Sequence, residues 1–180
     1  MNEKPVNTMS AKTTSVKTMP VNAASADAAS AGTASKDLSP AASPSNDPAE
    51  ALVVESINIA KGRMCVRLRI QKEARFTDPR IAVKVMTRFP CVGLHSCKND
   101  SGPHFADVIE STSTAHVLEH LMIDLQLGDS ATPMGSRLVG FTQWIDEDKG
   151  IAEIQVAFLN DMVALRALRD GVSFLNGILA

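Results

Sequence analysis

The sequence changes character near residue 50, and this change limits where a hydrophobic core can form. Residues 1–50 consist mostly of Ala, Ser, Thr, Pro, Asn and Lys, and the first aromatic residue of the chain is Phe76. Apart from Met, the aliphatic side chains larger than Ala in this segment are Val6, Val16, Val21 and Leu38. So little apolar area cannot offset the entropy lost on ordering a chain. We predict a disordered tail over residues 1–50 and one globular domain over residues 51–180.

Charge and cysteine content exclude several classes of protein. The net charge is −2 and the isoelectric point is about 6.1, so there is no basic surface of the kind that binds nucleic acid. No segment has the continuous apolar run of a membrane span or a secretory signal. The three cysteines, an odd number without a CxxC pair, favour reduced thiols over a disulfide framework. We expect a cytoplasmic protein.

Hydrophobic periodicity predicts the fold class of residues 51–180. Alternating segments indicate strands, whereas segments with a spacing of three or four residues between capping signals indicate helices. The predicted strands are 52–60, 64–70, 138–145 and 151–159. The predicted helices are 79–88, a short 105–109, 114–127 and 161–176. Leaving out the short helix, the order β-β-α-α-β-β-α predicts an α+β fold, with a mostly antiparallel sheet and helices packed on one side.

The segment His116-Val117-Leu118-Glu119-His120 carries the clearest chemical signal. On a helix its three polar side chains lie within about one turn of one another. Two imidazoles at this spacing can share a zinc ion, and the carboxylate beside them can take a proton from a water molecule. The pattern H-x-x-E-H is the inverted zinc-hydrolase motif. The alternative is a solvated helix face with an apolar stripe behind it.

From Phe89 onward, the order of residues resembles the N-terminal domain of cyanophycin synthetase, an enzyme that builds a polymer with an aspartate backbone and arginine side chains. The resemblance is clearest over about 89–175, and the motif helix is its most specific part. The family's two ATP-binding ligase domains have no counterpart in this sequence. The matching elements are Phe89-Pro90, His95-x-Cys97, Gly102, Phe105, the segment 116–126, Gly135-x-Arg137 and Gly150-Ile151.

The resemblance implies a zinc-dependent hydrolytic site that cleaves amide bonds of the polymer or of related peptides. His116 and His120 would be zinc ligands, Glu119 would be the catalytic base, and Arg137 would pair with a substrate carboxylate. His95 is a further candidate for substrate binding.

Two departures from the family pattern affect the third ligand. Leu94 and Ala157 stand where the family has glutamates. Because a catalytic zinc needs three protein ligands, we predict Glu153 as the first candidate for the third, followed by Cys97 and His95.

Two other functions remain open. The first is a non-catalytic module that lost the metal site and binds the polymer or a separate cyanophycin ligase. The second keeps the zinc chemistry but acts on another small substrate, because the inverted motif also occurs in pitrilysin-type peptidases and in S-ribosylhomocysteinase. None of these functions implies a nucleic-acid or membrane partner.

Overall fold

A computed structural model describes residues 50–180 of the chain, so the tail predicted for residues 1–50 lies outside the described residues except for Glu50. Three short segments are 3-10 helices, at residues 72–74, 92–94 and 105–107. The strands are β1 (Leu52–Ala60), β2 (Arg63–Ile70), β3 (Gly140–Asp146) and β4 (Ile151–Ala157), and the helices are α1 (Pro79–Arg88), α2 (Thr114–Leu127) and α3 (Asp161–Leu179).

The four strands form one sheet in the order β1-β2-β4-β3. Every neighbouring pair is antiparallel, which confirms the predicted α+β class with an antiparallel sheet. Two tight hairpins connect β1 to β2 and β3 to β4, and positive φ angles at Lys61, Gly62 and Gly150 permit these turns. The two hairpins meet along β2 and β4, in the middle of the sheet.

The core lies between the sheet and the helices. In β2 every second side chain is buried, as the alternation predicted, and β4 contributes a matching row. α2 and α3 cover this side of the sheet, and α3 approaches α2 so closely that a Cβ on Gly171 would lie 2.7 Å from the Leu118 side chain. The opposite face of the sheet exposes Arg67, Arg69 and Gln143. The sheet therefore has a helix-covered face and an open face.

Some predicted boundaries were wrong by a few residues. β3 begins at Gly140 rather than 138, β4 ends at Ala157 rather than 159, and α3 continues to Leu179 rather than 176. The short helix predicted for 105–109 is a 3-10 helix over Phe105–Asp107. No helix in the described part of the chain is both long enough and apolar enough to cross a bilayer.

Candidate metal centre

Helix α2 places the motif residues in the interior of the domain rather than on a solvated surface. The Ser113 side chain caps the helix by accepting a hydrogen bond from the His116 amide. Glu119 is only 6% exposed and His120 only 4%. Because α2 is covered on nearly all sides, the alternative of a solvated helix face was wrong.

A structured loop after α1 brings a thiol to the same place. The amide of Cys97 donates to the Pro103 carbonyl at 3.0 Å, and the amide of Phe105 donates to the His95 carbonyl at 2.9 Å. Asn99 closes the tip of the loop, where its side-chain oxygen accepts from the amides of Ser101 and Gly102. The loop therefore holds Cys97 against α2 through local backbone bonds.

Cys97, His116 and His120 form a group that could hold a metal ion. One donor atom from each residue lies within 4.8 Å of the other two. The Cys97 Sγ is 3.4 Å from the His116 Nε2. His116 and Cys97 are half-buried, whereas His120 is buried.

A second set of contacts holds the imidazole rings of His116 and His120. The Thr112 hydroxyl lies 2.8 Å from the His116 Nδ1. The His95 Nδ1 lies 3.3 Å from the His120 Nδ1, and the His95 Nε2 lies 3.3 Å from a carboxylate oxygen of Asp124. The Phe105 ring stacks on the His120 ring with centroids 4.0 Å apart. These contacts fix the orientation of both motif histidines.

The carboxylate of Glu119 reaches across to strand β3. The Thr142 hydroxyl donates to Glu119 Oε2 at 2.6 Å, and within residues 50–180 the other carboxylate oxygen has no hydrogen-bond partner. A Cβ at Gly140 would lie 2.5 Å from that second oxygen, so the strand can pass the carboxylate only because this position is glycine.

Burial controls the electrostatics of the centre. It raises the pKa of Glu119, although the Thr142 hydrogen bond works in the opposite direction. It lowers the pKa of His116, and it lowers that of His120 to about 3, with His116 and His95 adding to the effect on His120. Burial also raises the pKa of the Cys97 thiol. Without a cation, the centre therefore favours neutral side chains.

Two of the sequence-predicted site residues, Glu153 and Arg137, are not members of this group. Glu153 points to the open face of the sheet, where it accepts hydrogen bonds from Gln143 and Gln155, so the structure does not bring it to His116 and His120. Cys97, which ranked behind Glu153, takes the place of the third donor. Arg137 is exposed in the connection between α2 and β3 and forms no ion pair with another residue of the described range. His95 lies beside His120, although outside the group of three.

Sequence reasoning missed Thr142, Asp124 and Gly140. Asp124 follows His120 by one helical turn, but its role depends on His95, which comes from the loop after α1, and Thr142 carries no spacing signal. Gly140 did carry a signal, since a glycine inside a strand pattern often marks a close approach of another group. No protein-family model matches the chain, and no curated protein matches it either.

Proposed function

We propose that the chain is a zinc-dependent hydrolase of amide bonds, with Cys97, His116 and His120 as the zinc ligands. The observation that carries this proposal is the group of one thiol and two imidazoles gathered within 4.8 Å. Thiolate and imidazole are ligands that zinc prefers, and three protein ligands leave a fourth position for water or substrate.

The spacing of the donors fits a shared zinc ion. A sulfur and a nitrogen that bind one tetrahedral zinc, at about 2.3 and 2.0 Å, lie roughly 3.6 Å apart. The 3.4 Å between Cys97 Sγ and His116 Nε2 is close to this value. A ligand must be deprotonated, and the lowered pKa values of both histidines keep their rings neutral at pH 7, whereas the raised pKa of Cys97 means that its thiol would lose a proton when the metal binds.

In this proposal Glu119 is the general base. A bound zinc would polarise the scissile carbonyl and lower the pKa of the attacking water. Glu119 follows His116 by three residues, and its raised pKa brings it closer to the working pH of a proton carrier. Thr142 holds one carboxylate oxygen, which leaves the other to accept the proton from water and pass it to the leaving amine. The half-buried side of Cys97 and His116 is where a substrate would approach.

For the substrate we propose an aspartate-arginine polymer or related peptides, on the strength of the resemblance to the cyanophycin synthetase N-terminal domain. Arg137 would then pair with a substrate carboxylate, since its guanidinium is exposed and forms no ion pair within the described residues. His95 is better suited to a role behind the metal ligands than to substrate binding, because its ring lies between His120 and Asp124.

A second candidate is a non-catalytic module that binds the polymer or a separate ligase. It is favoured by Ala157 and Leu94, which replace acidic residues of the family pattern. This module would bind the polymer without cleaving it.

Metal analysis and hydrolysis assays on the full chain test both candidates. We expect about one zinc per chain in the wild type and loss of zinc in Cys97→Ala and His116→Ala. Glu119→Gln should keep the zinc but lower the rate of polymer cleavage by about 10²–10⁴-fold, the usual contribution of a general base. Glu153→Gln is the matched control, and it should change neither zinc content nor rate.

Each outcome separates the candidates. A wild type without zinc that cleaves neither the polymer nor Asp-Arg peptides contradicts the hydrolase. Polymer binding without cleavage favours the non-catalytic module.

A further inference from the structure

The contacts behind His120 form a chain that runs from a carboxylate through one imidazole to another. Asp124 follows His120 by one helical turn on α2. His95 belongs to the loop that follows α1, and its ring contacts both residues. The His95 Nε2 lies 3.3 Å from Asp124 Oδ1, and the His95 Nδ1 lies 3.3 Å from the His120 Nδ1. The side chains of His95 and Asp124 are only 15% and 19% exposed, so water competes weakly for these contacts.

The order of the atoms dictates where the protons lie. The His95 Nε2 and the Asp124 carboxylate are in ion-pair contact, and because an ionised carboxylate repels a lone pair and only accepts hydrogen bonds, this contact favours a proton on the His95 Nε2. In the neutral ring this proton is the only one, so a neutral His95 has a lone pair on Nδ1. Two facing nitrogens need one proton between them, so the Nδ1 of His120 carries it and donates to His95. The Nε2 of His120 is then left with a lone pair.

We propose that Asp124 and His95 act as positioning residues that hold His120 in the tautomer required to bind a cation through Nε2. This inference rests on the proposed zinc site and deepens it by assigning residues beyond the three ligands. Partners that orient a metal-bound imidazole in this way commonly change metal affinity by 10–100-fold when they are removed.

His116 provides an internal contrast. Its Nδ1 contacts the Thr112 hydroxyl at 2.8 Å, and a hydroxyl can both donate and accept. Thr112 therefore fixes the orientation of the His116 ring but does not select its tautomer. Of the two motif histidines, His120 is the one whose tautomer is set by a charged group, through His95.

The first test reads the tautomer directly in the metal-free full chain. Nitrogen-15 NMR of the imidazole rings near pH 7 distinguishes a protonated Nδ1 from a protonated Nε2. We expect His120 to carry its proton on Nδ1 in the wild type and to lose this preference in His95→Leu. A wild-type His120 with its proton on Nε2 would overturn the proposal, whether or not the protein binds zinc.

The second test measures zinc affinity by competition with a chelator. His95→Leu removes the acceptor and should weaken zinc binding by about 10–100-fold. His95→Asn can present its side-chain oxygen near the former Nδ1 position, so it should recover most of the wild-type affinity. His104→Asn, a change at an exposed histidine of the same loop, is the control and should leave the affinity unchanged.

The outcomes distinguish this proposal from the zinc site itself. A zinc affinity in His95→Leu equal to that of the wild type would overturn the positioning role of His95 and Asp124 while leaving the zinc site intact. Equal losses in His95→Asn and His95→Leu would also overturn it, because that result is expected if His95 itself ligates the metal. A wild type that binds no zinc contradicts the proposed function. In that case the tautomer measurement still shows whether Asp124 and His95 fix the tautomer of His120.

Discussion

The helix-covered face and the open face of the sheet are built from the same four strands but differ in their side chains. Met64, Leu68 and Ile154 on the covered face are fully buried, whereas Arg67 and Gln143 on the open face are exposed. Strand geometry alone causes this separation, because consecutive side chains point to opposite faces. A shift of one position along a strand therefore moves a residue from the core to solvent.

This alternation also decides which polar residues can serve the candidate metal centre. Thr142 lies on the covered face and donates a hydrogen bond to Glu119. Its neighbour Gln143 lies on the open face and donates to Glu153. The two carboxylates thus belong to different environments, although β3 contributes a partner to each. The acid that can take part in buried chemistry is Glu119, which lies on α2 and faces the covered side of β3.

The largest expected difference between the faces is in stability. Ile154→Ala would leave a cavity between β4 and the helices and should lower the free energy of unfolding by about 2–5 kcal/mol. Gln155→Ala, one position along on the open face, should change it by less than about 1 kcal/mol. Urea denaturation measures both values. Similar losses at the two positions would show that the open face is also covered in solution.

A second pair of neighbours tests the close approach of α2 to β3. Gly140→Val should lower stability by about 1–3 kcal/mol, because its side chain would overlap the Glu119 carboxylate. It should also displace the proposed base and lower the rate of any hydrolysis. Phe141→Val, on the open face, should affect neither stability by more than about 1 kcal/mol nor the rate. Unchanged activity in Gly140→Val would contradict the role of Glu119.

The covered side should also respond to pH through His120. Burial depresses the pKa of this residue to about 3 in the folded state, whereas the unfolded chain has a value of about 6.5. The unfolded state therefore binds the extra proton first. The stability from this group is complete above pH 6.5 and is lost as the pH falls toward 3, by about 2 kcal/mol between pH 7 and pH 5.

Urea denaturation of the chelator-treated protein at several pH values measures this effect. Glu119 has a raised pKa and contributes in the opposite direction as the pH falls, so the contribution of His120 must be isolated. The comparison with His120→Leu does this, and the variant should lose less stability on acidification than the wild type. Equal losses in the two proteins would contradict the prediction.

The smallest expected effect concerns the hydrogen bond between Thr142 and Glu119. Thr142→Val should cost about 1 kcal/mol, since it removes a partner from a buried carboxyl group. It should also raise the pKa of Glu119 further, because this hydrogen bond lowers it. Carbon-13 NMR of the carboxyl group measures that change. Gln143→Val on the open face should leave the pKa of Glu119 unaltered.

The sequence was sufficient to predict elements whose signals are local. An Asp before a Pro is a signal for the start of a helix, and Asp78 before Pro79 does cap α1, because its side chain accepts a hydrogen bond from the Ile81 amide. The alternation along β2 predicted its buried row, and a capping signal at Ser113 or Thr114 predicted the start of α2, where the structure has Ser113 as the cap. The H-x-x-E-H spacing likewise placed two imidazoles on one side of a helix.

The sequence was not sufficient where a contact depends on packing between distant elements. Glu153 was a reasonable third ligand from its strand position, but the covered face of β4 carries Ala152, Ile154 and Val156 instead. The bond between Thr142 and Glu119 joins residues 23 positions apart and depends on α2 lying against β3. The position of the Cys97 thiol depends on the loop bonds to Pro103 and Asn99, which no periodic pattern encodes.

The Cys97 thiol and the His116 ring belong to parts of the chain that are 19 residues apart in sequence. A cation held by both would act as a reversible cross-link between the loop and α2, much as a disulfide does in a secreted protein, but without an oxidising compartment. Such a cross-link would add to the backbone bonds that already hold the loop, and chelation would remove only this added tether. Metal supply would therefore change the free energy of unfolding of the whole fold along with the tethering of one loop, because a cation that binds only the folded state stabilises it.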